Sequence, residues 1–319
     1  MKRFKFFIKK KGIVFFALII GLIVTSPVYA DDYLHTKDSG FTLLPTSVRA
    51  MGMGGAFVAV VDDCEACYFN PAGLVQISQR ELGSTYSDLY GLGLLRHSFL
   101  SFIEPDKGMG AGGINWAHLE ADLEPEKWNY DIYSYSYANF LSNPPSIYRR
   151  RFTSWGANLK YLKQNTPWED GAGYSLDISF LSKDGRFSWG TNIQDLISEM
   201  SWKTGKKESI PVNIKLGTSY IFNPCFLIAL DIDASKEDIP RDIHLGGEWW
   251  MGHRRNIALR IGGTKVFQKT VDFTFSAGSG FYIPLKEMGR LTGIKLDYAF
   301  SYNKTVGDTH RFSLSLMFY

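Results

Sequence analysis

The strongest constraint on this chain is a two-residue alternation of apolar and polar side chains that recurs through most of the sequence after residue 80. In one segment, Ile294, Leu296, Tyr298 and Phe300 alternate with polar or small residues. Successive side chains of a β-strand point to opposite faces, so this period predicts strands rather than helices. The sequence therefore predicts an all-β body in which each strand has one apolar face and one polar or small face.

The same alternation also describes a soluble β-sandwich, so the question is whether the polar face lies outside or inside. The predicted strands have about ten residues, whereas sandwich strands have about five or six. Aromatic residues make up 15% of the chain and cluster toward strand ends, as in Trp249-Trp250. Such clusters are typical of the interfacial girdles of membrane barrels. These features favour a transmembrane antiparallel β-barrel whose polar face lines the lumen.

Fourteen strands are predicted, an even number that suits a bacterial barrel. They lie near 80–87, 94–103, 108–118, 128–140, 151–163, 171–182, 186–194, 211–222, 225–235, 242–251, 255–265, 271–282, 292–301 and 310–319. With periplasmic termini, the turns after even-numbered strands should be short, and most of them have good turn residues. The longest connection is expected at 195–210, and two even-numbered turns, 142–150 and 284–290, are expected to be longer than this rule.

The first 30 residues have the pattern of a secretory signal peptide. Six basic residues and no acidic residue precede or flank a 12-residue apolar run, Ile13–Val24, which is followed by a small residue, Ala30. The run is shorter than the roughly 20 residues of a spanning helix, which disfavours the alternative of a retained anchor. We expect export and cleavage after Ala30. Without these six of its 35 basic residues the chain has 29 against 32 acidic ones, so its charge gives no indication of nucleic-acid binding.

Residues 41–79 do not follow the alternation and are rich in glycine and turn residues. A dinucleotide-binding loop is disfavoured because G-x-G-x-x-G fails at Phe57, and no G-K-[ST] of a Walker loop occurs. Glycine permits close backbone approach and positive φ, which suits a segment that packs inside a barrel. The candidates for a role in packing or gating are Gly52, Gly54, Gly55, Asn70, Pro71 and Gly73.

Four stretches of the sequence carry a family resemblance: R-A-M-G-M-G-G-A-F-V-A-V at 49–60, D-D at 62–63, N-P-A-G-L at 70–74, and D-Y-A-F…G-D-T-H-R-F-S-L-S-L at 297–316. They resemble the PorV/PorQ proteins of the wider FadL-like superfamily of outer-membrane barrels. The resemblance implies a fourteen-stranded barrel, with an N-terminal segment folded inward as a plug. It divides the chain into a signal peptide 1–30, a plug 31–79 and a barrel 80–319.

The chain departs from the family pattern in two places. Cys64 and Cys67 stand where small or apolar residues are expected, and Tyr319 extends one residue beyond Phe318, which carries the apolar phase of the last strand. In the oxidising compartment expected for an exported chain, Cys64 and Cys67 form either a local disulfide or two packed free thiols. Phe318 and Tyr319 are the predicted membrane-insertion signal, read by the barrel-assembly machinery.

No enzymatic or cofactor-binding pattern stands out. The six histidines form no H-E-x-x-H motif, and no G-x-S-x-G nucleophile elbow occurs, so we predict no catalytic residues, no metal and no cofactor. Asp231 and Asp233 resemble the start of a calcium loop, but no glycine stands at its sixth position. We interpret them as lumen carboxylates. Arg149–Arg151 is a basic run interpreted as a solvated turn.

Two functions follow from the resemblance. The PorV likeness implies a secretion component that holds exported cargo proteins for a type IX machine, whereas the FadL likeness implies a transporter for hydrophobic solutes. A purely structural barrel is a third possibility. The expected partners are outer-membrane lipids, the barrel-assembly machinery, and either secreted proteins or hydrophobic small molecules, with no nucleic acid.

Overall fold

The structure, a computed structural model, describes residues 47–123, 126–141, 151–235, 240–252, 256–267, 272–288 and 290–319. The predicted signal peptide, the predicted cleavage site and the first part of the predicted plug lie outside these residues. So does the whole connection expected at 142–150, which includes Arg149 and Arg150 of the basic run. Among the described residues, no helix has the length and apolar character needed to cross a bilayer.

Fifteen strands make up the body of the described chain. They are β1 Arg80–Leu89, β2 Leu95–Glu104, β3 Ala111–Leu123, β4 Glu126–Phe140, β5 Arg151–Asn165, β6 Asp170–Asp184, β7 Phe187–Trp202, β8 Lys207–Glu208, β9 Asn213–Asn223, β10 Phe226–Ser235, β11 Asp242–Met251, β12 Ile257–Val266, β13 Asp272–Met288, β14 Leu291–Asn303 and β15 Gly307–Phe318. All fourteen predicted strands are present, displaced by a few residues at their ends.

The strands close into an antiparallel barrel. Apart from the short β8, each strand pairs with the next along the chain, β7 pairs with both β6 and β9, and β1 pairs with β15. The two-residue strand β8 adds only to the far end of β7. The result is a closed barrel of fourteen strands with one short extra strand, which confirms the predicted fold class. Closure leaves the wall without an unpaired edge.

Two predicted connections are wrong in length. The loop expected from residue 195 starts only after Trp202, because β7 continues past a bulge at Asp195, whose φ is +58°. The connection expected at 284–290 is mostly strand, because β13 runs to Met288 through a register shift that begins at Pro284. Proline lacks a ladder donor, and a strand irregularity accommodates it. Because β8 is an extra strand, β13 is the twelfth strand of the barrel itself, and its following turn is short, as the rule for even-numbered strands requires.

The two faces of the wall differ in polarity as predicted. On β14, Lys295 and Asp297 point into the lumen, where each forms an ion pair, while Leu296 on the opposite face is 43% exposed. Large apolar side chains of many strands are exposed on the outer surface in the same way. They include Leu100, Ile114, Leu159, Ile197, Leu216, Leu259, Ile261, Phe275, Phe312 and Leu314. An apolar outer surface of this kind suits contact with lipid.

Residues 47–79, called the plug from here on, pack against the inner face of the wall. They contain two short helices, α1 Val48–Gly52 and α2 Ala66–Phe69, and a 3-10 helix, Pro71–Gln76. α1 contacts β12 to β15, and the 3-10 helix contacts β3 to β6. The plug lies in the half of the lumen nearer to Arg80 and Tyr319, which we call the terminal half.

Candidate functional site

The first contact between plug and wall is an ion-pair network around Arg49. Ser47 caps α1 by accepting a hydrogen bond from the Ala50 N–H at 2.9 Å, and this helix turn carries Arg49 toward β11. Arg49 donates to both carboxylate oxygens of Glu248, each at 2.7 Å, and to Asp62 and Asp63 at 2.6 and 3.0 Å. A bidentate arginine–carboxylate pair is among the stronger charge-assisted hydrogen bonds. Arg49 therefore joins the start of the plug, its middle and the wall.

The network extends along the wall beyond Arg49. Arg260 on β12 donates to Glu248 at 2.8 Å and to Asp297 on β14 at 2.5 Å. On the other side, Lys295 on β14 approaches Glu81 on β1 at 3.3 Å. The groups surround a cavity of about 30 Å³, which has room for one or two water molecules. At this point the ion pairs hold the plug in close contact with the wall.

Two carboxyl groups of the plug are buried beside this network. Burial raises the pKa of Asp63 to about 6, although the nearby Arg49 and Lys295 oppose the shift. Burial also raises the pKa of Glu65 well above its ordinary value, and the neighbouring Asp63 adds to the shift. The Glu65 carboxylate accepts a hydrogen bond from Ser47. Asp63 therefore changes its charge near neutral pH within the plug.

The predicted glycines lie where the backbones of plug and wall touch. Gly54 has a φ of +64°, and a Cβ there would lie 2.4 Å from the Gly263 nitrogen on β12. The Gly54 carbonyl accepts hydrogen bonds from Thr264 Oγ1 at 2.6 Å and contacts His244 Nδ1 at 2.8 Å. A Cβ on Gly55 would lie 2.6 Å from the same His244 atom. The Gly-rich stretch thus allows contact that no side chain permits.

Gly52 and Gly73 are also at close contacts, but with different partners. A Cβ on Gly52 would lie 3.2 Å from the Gly278 Cα of the wall, whereas one on Gly73 would lie 2.3 Å from the Val61 carbonyl oxygen within the plug itself. Gly52, Gly54 and Gly55 therefore belong to the plug–wall contact. Gly73 belongs to the internal packing of the plug.

Asn70 is the junction of the second half of the plug. Its side chain donates to the Val58 carbonyl at 2.9 Å and to the Phe180 carbonyl on β6 at 3.1 Å, and it accepts from the Ala72 N–H at 3.1 Å. Pro71 begins the 3-10 helix, where its fixed φ suits a first position. The Asn-Pro-Ala turn thus joins two plug segments and one strand of the wall.

Asp231 and Asp233 both point into the lumen, as predicted. Asp231 accepts hydrogen bonds from the backbone N–H groups of Phe57 and Val58, at 2.6 and 2.8 Å. Asp233 forms ion pairs with Lys215 and Arg241. Asp233, Asp242 and His244 lie close enough together to form a metal donor set, but the two basic side chains already neutralise Asp233. The set therefore suits an ion-pair network better than a cation.

Cys64 and Cys67 are both buried and carry free thiols in the structure. The Cys64 sulfur lies 3.7 Å from Ser315 Oγ on β15, and the Cys67 sulfur lies 3.8 Å from Ser101 Oγ on β2. Each thiol therefore has its own serine partner on the wall. A disulfide between them stays a prediction.

Phe318 and Tyr319 lie at the terminal end of the barrel. Phe318 is the last residue of β15 and pairs with Arg80 on β1, so the apolar phase of the strand ends there as predicted. Tyr319 is 78% exposed, and its carbonyl accepts a hydrogen bond from Arg80 at 3.0 Å. Their role in membrane insertion stays a prediction.

Sequence reasoning did not identify a second buried ion-pair group, which surrounds Lys160. Its ammonium lies 2.7 Å from Asp177 and 2.8 Å from Asp195, at the β7 bulge. These groups border a cavity of about 20 Å³ beside Tyr68 of the plug. Alternation places Lys160 and Asp177 on the lumen face, but the bulge that turns Asp195 inward has no sequence signature that we recognise.

An apolar cluster lies farther from the terminal end, beyond the plug. It consists of buried side chains from strands β2 to β5, from β7 and from the connection after β8: Phe99, Ala117, Ile132, Leu162, Met200 and Ile210. Leu119, Tyr130 and Trp202 pack against it. Ala117 and Ile132 of this cluster also line the cavity of about 20 Å³ beside Tyr68, so an apolar ligand that entered this space would meet apolar side chains.

No protein-family model matches the sequence, and no curated protein matches it. Solved structures do match. They include a Pseudomonas aeruginosa FadL homologue, with 13% identity and a TM-score of 0.57 over 86% of this chain and 98% of that one. The CymD monoaromatic hydrocarbon channel matches with 11% identity and a TM-score of 0.58, over 85% and 96% of the two chains.

The toluene transporter TbuX of Ralstonia pickettii is similar in the same way. Its identity is 11% and its TM-score 0.53, over 87% of this chain and 98% of that one. At such low identity the likeness concerns the fold. The chain therefore has the FadL-like outer-membrane β-barrel fold. Among the matching structures, CymD is named a channel and TbuX a transporter.

Proposed function

We propose that this protein is a non-catalytic channel for hydrophobic solutes in the bacterial outer membrane and that the plug closes it in the structure. The observation that carries the proposal is the apolar cluster around Phe99 and Leu162, which lies on the inner side of the wall and borders the cavity beside Tyr68. Burial of apolar surface favours an apolar solute there. The printed names of FadL-like neighbours, a monoaromatic hydrocarbon channel and a toluene transporter, support the same class of solute.

Passage through the terminal half of the lumen requires the plug to move. The cavities of about 30 and 20 Å³ between plug and wall are much smaller than a cavity of about 150 Å³, the size that accommodates benzene in an engineered protein core. The plug is held by ion pairs and by buried backbone contacts, and these must break before the plug can move. We therefore place the gate at the plug–wall contact and count Gly52, Gly54, Gly55 and Asn70 as part of it.

The structure offers a direct way to lock this gate. The Cys64 sulfur faces Ser315 Oγ at 3.7 Å, so Ser315→Cys places a second sulfur beside it. Oxidation of this variant should join the plug to β15 through a disulfide, and reduction should release it. Toluene entry into vesicles that contain the oxidised variant should fall by about tenfold or more and recover on reduction, as the closed state becomes covalent.

Ser313→Cys is the matched control, because residue 313 is on the same strand and the same face but has no cysteine partner. Its permeability should not depend on oxidation. If the oxidised Ser315→Cys protein contains the disulfide and still admits toluene at the parent rate, the route does not pass the plug, and the proposal fails.

The PorV/PorQ resemblance supports protein secretion as a second candidate function, in which the loops opposite the terminal end hold exported cargo. The motif at 49–60 is weaker support for secretion than its length suggests. The contacts of Arg49, Gly54 and Gly55 with the wall account for these residues without a secretion role. Replacing residues 203–209 with a Gly/Asn linker of the same length, which keeps Ile210 of the apolar cluster, tests this function. Loss of co-purifying exported protein, with toluene entry unchanged, would favour the secretion role over the channel.

A further inference from the structure

Three polar side chains on adjacent strands form a buried group in the lumen with unused hydrogen-bonding atoms. Ser87 on β1 is opposite Arg311 on β15 and opposite His97 on β2. Their exposed fractions are 1%, 5% and 0%. Directly opposite residues on one face have Cβ atoms about 5 Å apart, so the three side chains form one row.

None of the three has its polar atoms satisfied within the described part of the chain. Arg311 Nε and Nη1, both ring nitrogens of His97, and Ser87 Oγ are buried and make no hydrogen bond. Buried polar groups in proteins are nearly always paired, and a buried charge without a counter-ion is among the costliest of all arrangements. The row therefore indicates a missing partner.

Among the described residues, the strands beside Arg311 place no free carboxylate on the same face of the wall. Its neighbour on β14 is Ala299, and Thr309 and Ser313 precede and follow it on the same face of β15. On the inner face of the described strands, the nearest acidic residue by register is Asp297, which is bound to Arg260 at 2.5 Å. Water could fill the hydrogen bonds, but it would not compensate the charge.

We propose that Arg311, Ser87 and His97 form a binding site for an oxyanion group, a carboxylate or a phosphate, inside the lumen. A guanidinium matches the two oxygens of such a group through parallel N–H donors, and the serine hydroxyl and the imidazole N–H add further donors. The anion supplies the counter-charge that the protein does not. This inference goes beyond the proposed channel function and does not require it, because binding is measured without transport.

The oxyanion has two possible sources, a free small anion or the head group of an amphiphile. The row borders the apolar cluster, since His97 is opposite Leu119 and is followed on the same face by Phe99. An amphiphile could therefore place its head group at Arg311 and its chain against Phe99. The experiment distinguishes the two sources by comparing ligands that share the head group.

The test measures binding and thermal stability of the full chain in an uncharged detergent, at an ionic strength matched with sodium chloride. Sodium acetate and inorganic phosphate represent the free anion, sodium octanoate the amphiphile, and 1-octanol the uncharged control. A ligand that binds only the folded barrel raises its melting temperature. We expect acetate, phosphate or octanoate to bind the parent protein, and octanol to bind at least about tenfold more weakly than octanoate.

Variants locate the site. Arg311→Gln should weaken anion binding about tenfold or more, and Arg311→Lys should keep part of it because the charge remains. Arg96→Gln is the matched control, since Arg96 precedes His97 on β2 but lies on the outer face with its side chain half exposed. The His97 ring resonances should shift when acetate is added to the parent and not when it is added to Arg311→Gln.

Each result decides the inference. Octanoate about tenfold tighter than acetate identifies a head-group site, and equal affinities identify a free-oxyanion site. The inference is overturned if no probe stabilises the parent beyond the chloride control, which needs no variant, or if an assembled Arg311→Gln protein binds as tightly as the parent. The disulfide test of the channel with Ser315→Cys is unaffected by either result, so each proposal can fail without the other.

Discussion

Arg49 of the plug and Glu248 of the wall are joined by two parallel hydrogen bonds, each 2.7 Å long, across 199 residues of sequence. Glu248 is fully buried and also accepts from Arg260, so one carboxylate compensates two guanidinium groups. Such a pair contributes little net stability when intact, yet removing one partner leaves an uncompensated charge. The attachment of the plug at this point therefore depends on both partners being present.

Glu248→Gln should release the plug. The change leaves Arg49 and Arg260 facing each other without their shared anion, and we expect a cost of about 3 kcal/mol, equivalent to about a hundredfold more frequent opening. The buried thiols of Cys64 and Cys67 measure this opening, because they react with maleimide only when exposed. Cys225 is partly exposed and provides an internal reference for the reagent.

Glu104→Gln is the control for the loss of a carboxylate. Glu104 binds Arg80 and Lys107 on the surface of the barrel, away from the plug. Its replacement should leave the labelling of Cys64 unchanged, because exposed pairs contribute little. Equal labelling rates in Glu248→Gln and the parent would mean that the Arg49 network does not hold the plug.

Gly54→Ala should disturb the plug far more than a positive φ alone would. Gly54 and Gly185 have nearly identical φ values, +64° and +65°, but a Cβ would meet the backbone of Gly263 at the first and open space at the second. Gly185→Ala should cost about 1 kcal/mol, the ordinary penalty of a left-handed residue. Gly54→Ala should add about 2 kcal/mol or more from overlap. Thiol labelling and thermal melting measure both; equal effects would show that contact with Gly263 is not limiting.

Asp63→Asn should make the plug attachment less sensitive to pH. The pKa of Asp63 is about 6 in the folded protein and lower in the exposed state, so the folded protein binds the proton more tightly. Its protonation stabilises docking fully below about pH 4, and this contribution is lost as the pH rises through 6. Asparagine imitates the protonated form at every pH.

The variant and the parent should therefore open equally often at pH 4 and differ at pH 7. At pH 7 we expect Asp63→Asn to favour docking by about 1–3 kcal/mol. Amide exchange of the plug, corrected for intrinsic rates, measures opening at both values. A variant that opens more often than the parent at pH 7 would show that the pairing of Asp63 with Arg49 outweighs the cost of burial.

The barrel could be predicted because its information is local. Each strand shows its two faces through alternation, so the inward position of Asp231 and the outward position of Leu296 follow from period alone. Strand ends were less predictable, since Pro284 suggests a break and the ladder nevertheless continues to Met288. Irregularities such as the bulge at Asp195 depend on pairing between strands, which a single sequence does not display.

The contacts of the plug could not be predicted from the sequence. Its glycines indicated close packing, yet the partners of Gly54 and Asn70 lie about 200 and 110 residues away in sequence. The roles of Glu248 and Arg260 were missed because buried ion pairs in a lumen look like any polar position of an alternating strand. The row of Arg311, Ser87 and His97 was missed for the same reason.

The outer surface of the wall should not tolerate a charge. Ile261 lies in the middle of β12, between Gly247 and Ala277, and its side chain is 59% exposed on the outer face. If lipid covers this face, Ile261→Arg places a charge in hydrocarbon at a cost of about 2–4 kcal/mol near the midplane. Less heat-modifiable protein should then accumulate in the outer-membrane fraction.

Met109→Arg is the control, since Met109 is 84% exposed in the turn before β3 and should remain near water. Equal yields of both variants in that fraction would mean that the apolar face does not contact lipid.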